Sequence, residues 1–236
     1  MKHIRMFTLV SLLMALVSPG MGALWQSVPT PTGHLIEIEE YQGVRLGSVE
    51  DFRENSISGV QAVDPATYKL RIDGLVESPQ SFSLEELAQQ PRAHKLVELH
   101  CVEGWSVLAL WEGIALSDLL GAVTPQASAN TLIFHAQDGY TTSLPLSTVL
   151  QKGLIIADKI NGVVLPPEIG FPFQLVAEEK WGYKWIRWIT RIELSNDGEY
   201  RGYWESKGYS NDASFPGPKF DDVFWRSTQP ATPTFR

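Results

Sequence analysis

The sequence predicts a β-rich α+β fold in a single domain. Short runs alternate apolar and polar residues, and Asp-Gly, Asn-Gly and Pro-Pro pairs separate them. Helical patterns are few and brief. With 236 residues, 44% hydrophobic and 19% charged, the chain suffices for one sizeable core.

Residues 24–48 are mixed in character and read as extended. Tyr68, Leu70 and Ile72 alternate with polar neighbours and form a strand that ends at Asp73-Gly74. Ser83-Leu84-Glu85-Glu86 is a capping box, whose hydroxyl and carboxylate cover free amides of a short helix. Lys95 to Val102 is the next strand, and Ser117-Asp118-Leu119-Leu120 a brief helix. Thr131 to Ala136 and Tyr140 to Leu144 flank the Asp138-Gly139 turn. Ser147 to Lys152 makes one helical turn. Leu154 to Ile160, Phe171 to Ala177 and Trp185 to Leu194 complete the strands. The domain is expected over 49–210, and a proline-containing irregular tail over 211–236.

At the start, Lys2, His3 and Arg5 precede an apolar run from Met6 to Val17 and then Pro19-Gly20-Met21-Gly22-Ala23. Residues 1–23 therefore read as a secretory signal peptide or an N-terminal membrane anchor, placing the protein in an exported, periplasmic or membrane-anchored setting. The net charge of −8 argues against a nucleic-acid partner.

Cys101 is the only cysteine, so it forms no internal disulfide. An apolar run delivers it to a Glu-Gly turn, which leaves three readings: a small buried hydrophobe, a nucleophile or a metal ligand. A zinc set of Cys101, His100, His94 and His135 lacks regular spacing. A hydrolase using Cys101, His135 as base and Asp138 as orienter has no spacing signature either. Lys184 and Arg187, flanked by aromatic rings, are two cations that can converge on one anion. Asn55 falls in the polar loop Phe52-Arg53-Glu54-Asn55-Ser56, and Thr141 follows the hairpin turn.

In order along the chain, several segments resemble the sulfite-oxidase-like molybdopterin oxidoreductases, in the bacterial branch that includes the methionine-sulfoxide reductase catalytic subunit. They run from Arg71-Ile72-Asp73-Gly74 through His100-Cys101-Val102-Glu103-Gly104-Trp105-Ser106 and Trp111-Glu112-Gly113-Ile114. Gly170-Phe171-Pro172, Gly182-Tyr183-Lys184 and Gly202-Tyr203-Trp204-Glu205 continue them. The resemblance implies a sulfite-oxidase-type molybdopterin-binding fold and a molybdenum–molybdopterin cofactor. It implies Cys101 as the molybdenum ligand and His100 as a group near the metal that can touch substrate. Asn55, Thr141, Gln174, Lys184, Trp185, Ile186 and Arg187 fall at cofactor-binding positions, with Gln174 standing where the family commonly has arginine. The implied reaction is two-electron oxygen-atom transfer on a small oxo-substrate. Because no haem or iron–sulfur motif is present, electrons pass through a separate electron-transfer protein. A monomer is expected, since the chain stops soon after the matched segments. Gln174, Ile169 before the Gly-x-Pro turn and a leader without a twin-arginine pair motivate a second reading, a non-catalytic binding domain on the same scaffold.

Overall fold

The computed structural model describes residues 36–221. The expected leader at 1–23 and the last part of the tail, 222–236, lie outside the described residues. A small hairpin comes first, β1 (Glu40–Tyr41) with β2 (Val44–Arg45). There follow β3 (Lys69–Gly74), β4 (Gln80–Ser83), α1 (Leu84–Ala88), β5 (Ala93–His100), β6 (Ser106–Ala115) and α2 (Leu116–Val123). Next are β7 (Thr131–Ala136), β8 (Thr141–Pro145), α3 (Leu146–Gln151), β9 (Ile155–Ile160), β10 (Val163–Val164), β11 (Gln174–Val176) and β12 (Ile189–Ser195).

Two five-stranded sheets result, as a β-rich α+β fold should give. In the first, β5, β6 and β9 lie side by side and both β10 and β11 pair with β9, all antiparallel. The second runs β4-β3-β12-β7-β8, with β3 and β12 parallel and the other pairs antiparallel. A parallel pair needs a long crossover, and here the crossover contains the whole first sheet.

Local chemistry explains the elements. In β3 the alternation buries Leu70 and Ile72 and leaves Lys69 and Arg71 in solvent. Ser83 Oγ accepts from the Glu86 amide while the Glu86 carboxylate accepts from the Ser83 amide, the expected capping box of α1. In α2 the buried positions are Leu116, Leu119, Leu120 and Val123, the spacing of one helical face. Trp111, Ile114, Phe134, Ile156, Phe173 and Ile192 are fully buried in the common core. Each contributes about 1.5–3 kcal/mol by leaving water.

One strand goes beyond the sequence expectations, and two of those expectations require correction. Strand β6 is ten residues long and carries no alternation, because neighbours on both edges and cover on both faces bury most of its length. Of the expected strand Phe171 to Ala177, only Gln174–Val176 pairs. Of Trp185 to Leu194, the strand begins at Ile189, because Gly182–Lys184 forms a single 3-10 turn and Trp188 adopts a left-handed φ of 51°. That irregular stretch builds the site described below.

Gly113 sits at the register shift between β6 and β9. A Cβ there would overlap the Ile156 carbonyl oxygen and stand 2.6 Å from the Ala157 Cα, all of it backbone. Overpacking of this kind costs about 1–3 kcal/mol. Gly113→Ala is expected to lower Tm by about 2–12 °C in a thermal melt; an unchanged Tm would show that the bulge can relax.

Candidate active site

Cys101 is the first residue past β5. The connection to β6 is held by the Cys101 amide donating to the Trp105 carbonyl (2.9 Å) and the Gly104 amide donating to the Cys101 carbonyl (3.1 Å). Gly104 has a φ of 91°, where a side chain would be strained. This turn leaves Cys101 only 5% exposed. Trp181 forms an isolated parallel bridge with His100, which lays the 182–188 segment beside the cysteine. Gly182 makes that approach possible: a Cβ there would stand 3.3 Å from the His100 carbonyl oxygen and 3.4 Å from the Cys101 Cα.

A third wall comes from the loop after Phe52, whose ring meets Trp105 and Trp111 edge-on at 6.1 and 5.8 Å. Asn55 Nδ2 lies 3.8 Å from Cys101 Sγ, and Arg187 Nη2 donates to the Arg53 carbonyl (3.2 Å). Trp204 and Tyr209 supply the fourth wall. Lys219, over the Trp181 ring, donates to the Val102 carbonyl (2.7 Å) and ties the following segment to the cysteine turn. Together these walls line an open-mouthed cavity of about 160 Å³.

The polar chemistry of the cavity is unfinished by the protein. Gln174 is 1% exposed, and neither atom of its amide has a hydrogen-bond partner among the described residues. Arg187 Nη1 and Ser56 Oγ are in the same condition. All three residues line the cavity. Leaving such groups unpaired costs about 1–3 kcal/mol each, so the wall is built for a polar, partly anionic guest. Burial pushes the Cys101 thiol above its ordinary range, and the Glu103 carboxylate adds to this. The Glu103 amide and the charges of Arg187 and Lys219 pull the other way without prevailing. Burial also pushes the Arg187 guanidinium down, partly offset by Glu54.

Of the residues singled out from the sequence, Cys101, Asn55, Gln174, Trp185, Ile186 and Arg187 all line this cavity. His100, Thr141 and Lys184 stand elsewhere. Neighbouring side chains at a strand end point to opposite sides. The His100 ring accordingly stacks on Phe215, with centroids 3.7 Å apart, and its Nε2 lies 3.6 Å from the Glu98 carboxylate. Thr141 Oγ1 accepts from the Tyr200 hydroxyl (3.0 Å). Lys184 is fully buried, and its Nζ donates to Glu205 (2.6 Å) and to the Ser143 carbonyl (2.9 Å). His135 is engaged by Glu193 and Arg191, and no cluster of three metal-binding side chains occurs among the described residues, so the zinc set does not assemble. Sequence reasoning missed Ser56, Tyr140, Tyr183 and Tyr209 as lining residues. Ser56 lay one position from Asn55, and that adjacency was its only signal.

Comparison with known proteins identifies the family. Residues 57–204 match the family model of the oxidoreductase molybdopterin binding domain. The chain is 33% identical over 147 residues to the uncharacterised oxidoreductase YuiH of Bacillus subtilis, covering 62% of this chain and 74% of that protein. It is 32% identical over 151 residues to a putative protein-methionine-sulfoxide reductase subunit, YedZ1, of Azospira oryzae, covering 64% and 57%. The protein-methionine-sulfoxide reductase catalytic subunit MsrP of Gluconobacter oxydans is 27% identical over 184 residues, covering 70% and 57%. This chain thus spans little more than half the length of those two sulfoxide-reductase proteins. The crystal structure of the sulfane dehydrogenase SoxCD from Paracoccus pantotrophus shares the fold, with a TM-score of 0.58 and 23% identity over 64% of this chain and 43% of that one. With the matched span reaching across both sheets and most of the cavity wall, the chain belongs to the oxidoreductase molybdopterin-binding domain family, and it is an oxidoreductase whose cofactor is molybdenum held by molybdopterin.

Proposed function

We infer that the cavity beside Cys101 seats the molybdopterin, that Cys101 is the molybdenum ligand, and that the enzyme transfers an oxygen atom to or from a small oxo-substrate. One observation carries this reading: the only cysteine shares a cavity with the unpartnered polar atoms of Gln174, Arg187 and Ser56. When bound, the metal supplies the two-electron change that no side chain here can provide.

The protein's part is to bind, orient and hold charge. Burial pushes the free Cys101 thiol up, toward its neutral form, and as a soft thiolate Cys101 would suit a transition metal. The Asn55 amide, already directed at Sγ, supports that thiolate and fixes its direction. Arg187 offers its unpartnered Nη1 to the cofactor's phosphate, while the Gln174 amide offers both a donor and an acceptor. Trp185 and Ile186 present backbone groups on the same wall. His100, Thr141 and Lys184 act from behind, by fixing the segments that carry these groups.

Sulfoxides belong to the substrate class, in keeping with the names of two relatives. Those relatives are named as subunits, which supports a separate electron-transfer protein as partner. Export by a leader or anchor in residues 1–23 completes the reading; no helix among the described residues is long and apolar enough to cross a membrane.

The test is the molybdenum and pterin content of protein purified from a host that makes the cofactor. Stoichiometric amounts are expected, and a matured preparation without molybdenum would overturn the assignment. In the same assay Arg187→Met is expected to weaken cofactor retention by about 10–100-fold, the loss of one charge-assisted contact. Retention at the wild-type level would remove Arg187 from the site.

A further inference from the structure

Between Phe52 and Asp64 the described chain forms neither strand nor helix. Its two ends are firmly placed. Phe52 is buried with its ring against two tryptophans. At the other end the Asp64 carboxylate accepts from the Ala66 amide and the Thr67 hydroxyl, and the Tyr68 hydroxyl donates to the Ile189 carbonyl. Between these anchors the bonds are mostly internal. The Ser56 amide donates to the Glu54 carboxylate (2.7 Å), and the Gln61 amide donates to the Gly59 carbonyl (2.8 Å). Among the described residues, the rest of the domain meets 53–63 through two hydrogen-bonding contacts, the packing of Val63 against the core and the attraction between Glu54 and Arg187. The hydrogen-bonding contacts are Arg187 on the Arg53 carbonyl and Cys101 Sγ facing Asn55.

This thinly held segment nevertheless supplies Asn55, Ser56 and Ile57 to the cavity wall. Within it the Ser56 hydroxyl is buried without a partner, as are the Gln174 amide and Arg187 Nη1 on the neighbouring wall. Arg187 spends one arm of its fork on the segment and keeps the other buried and unpaired. A stretch with so few bonds to the body opens at low free energy, whereas a guest that touches it only when closed shifts it toward the closed form.

We propose that residues 53–63 form a strap that closes over the molybdopterin, with the Ser56 hydroxyl hydrogen-bonded to the cofactor and Arg187 joining cofactor to strap. Opening removes one wall of the cavity, so that a large pterin enters from the side; closing supplies the partner that Ser56 lacks. The inference rests on the cavity being the cofactor's seat.

Hydrogen exchange followed by mass spectrometry tests it on the full chain, purified from a host that makes molybdopterin and from one that does not, with molybdenum measured on each sample. Peptides covering 53–63 are expected to exchange about tenfold or more slowly in the loaded protein, while those from β5 and β6 change little. Ser56→Ala is expected to lose molybdenum on dialysis about three- to tenfold faster, the equivalent of one neutral hydrogen bond. A loaded sample whose strap exchanges as fast as the cofactor-free one overturns the strap alone. Protection of the strap with wild-type release from Ser56→Ala overturns the hydroxyl contact. A matured sample without molybdenum overturns the seat, and the strap with it.

Discussion

Cys101→Ser is expected to reduce turnover by more than about 100-fold, beyond the 10–100-fold typical of losing a group that merely supports a metal ligand. The substitution is nearly isosteric, and the hydroxyl can still sit in the Cys101–Trp105 turn because the turn's hydrogen bonds are made by backbone. Stability should therefore change by little, on the scale of an ordinary core substitution of about 1 kcal/mol. The measurement pairs steady-state reduction of a sulfoxide by a dye donor with a thermal melt and molybdenum analysis. Full activity in a folded Cys101→Ser protein would rule the thiolate out as ligand, and loss of both activity and melting transition would make the residue structural instead.

The largest effect on stability is expected at the buried pair Lys184–Glu205. Both side chains are fully hidden, and Thr142 adds a hydroxyl to Glu205 Oε1 (2.5 Å). Removing one partner from such a pair typically costs about 3–5 kcal/mol, because the other charge is left buried and alone. For a domain of this size that corresponds to a fall in Tm of about 6–20 °C for Lys184→Met. Lys184→Met with Glu205→Leu should recover part of the loss, since no charge remains to be desolvated. If both variants melt together, the pair is not the source. The pair also gives a pH signature. Burial depresses the Lys184 ammonium below its ordinary range, and the attraction of Glu205 offsets this only in part. Between that depressed value and about 10.4 the unfolded chain binds more protons at this lysine than the folded one. Its contribution to stability therefore rises with pH across that window. Lys184→Met should lack this rise.

Sequence periodicity could find elements with one wet face, and the cysteine turn could be found by motif. Leu70 and Ile72 alternate because Lys69 and Arg71 meet solvent, whereas β6 is covered on both faces along most of its length. The lone cysteine, the glycine at 182 and the arginine at 187 were visible as unusual residues in unusual company, and all three stand at the cavity. Lys184 illustrates what spacing cannot supply. Three positions from Arg187, it was equally plausible as an anion contact, yet the 3-10 turn at Gly182–Lys184 sends it into the interior toward Glu205. His100 shows the same gap in information: adjacency to Cys101 in sequence means opposite sides in an extended chain, and its ring stacks on Phe215. The tyrosines of the wall, Tyr140, Tyr183 and Tyr209, come from three separate segments, and no local pattern foretells that meeting.

The parallel bridge between His100 and Trp181, and the seam where Arg187 meets Arg53, have a consequence for biosynthesis. Contacts this remote along the chain form late, since loop closure must precede them. During N-terminal-first synthesis, the hairpin bearing Cys101 can emerge and pair long before Trp204 and Tyr209 exist to close around it. A nascent chain therefore offers no complete pocket until nearly the whole domain has left the ribosome. With the pocket as the proposed seat, cofactor capture would be the closing event of maturation rather than a nucleus for folding.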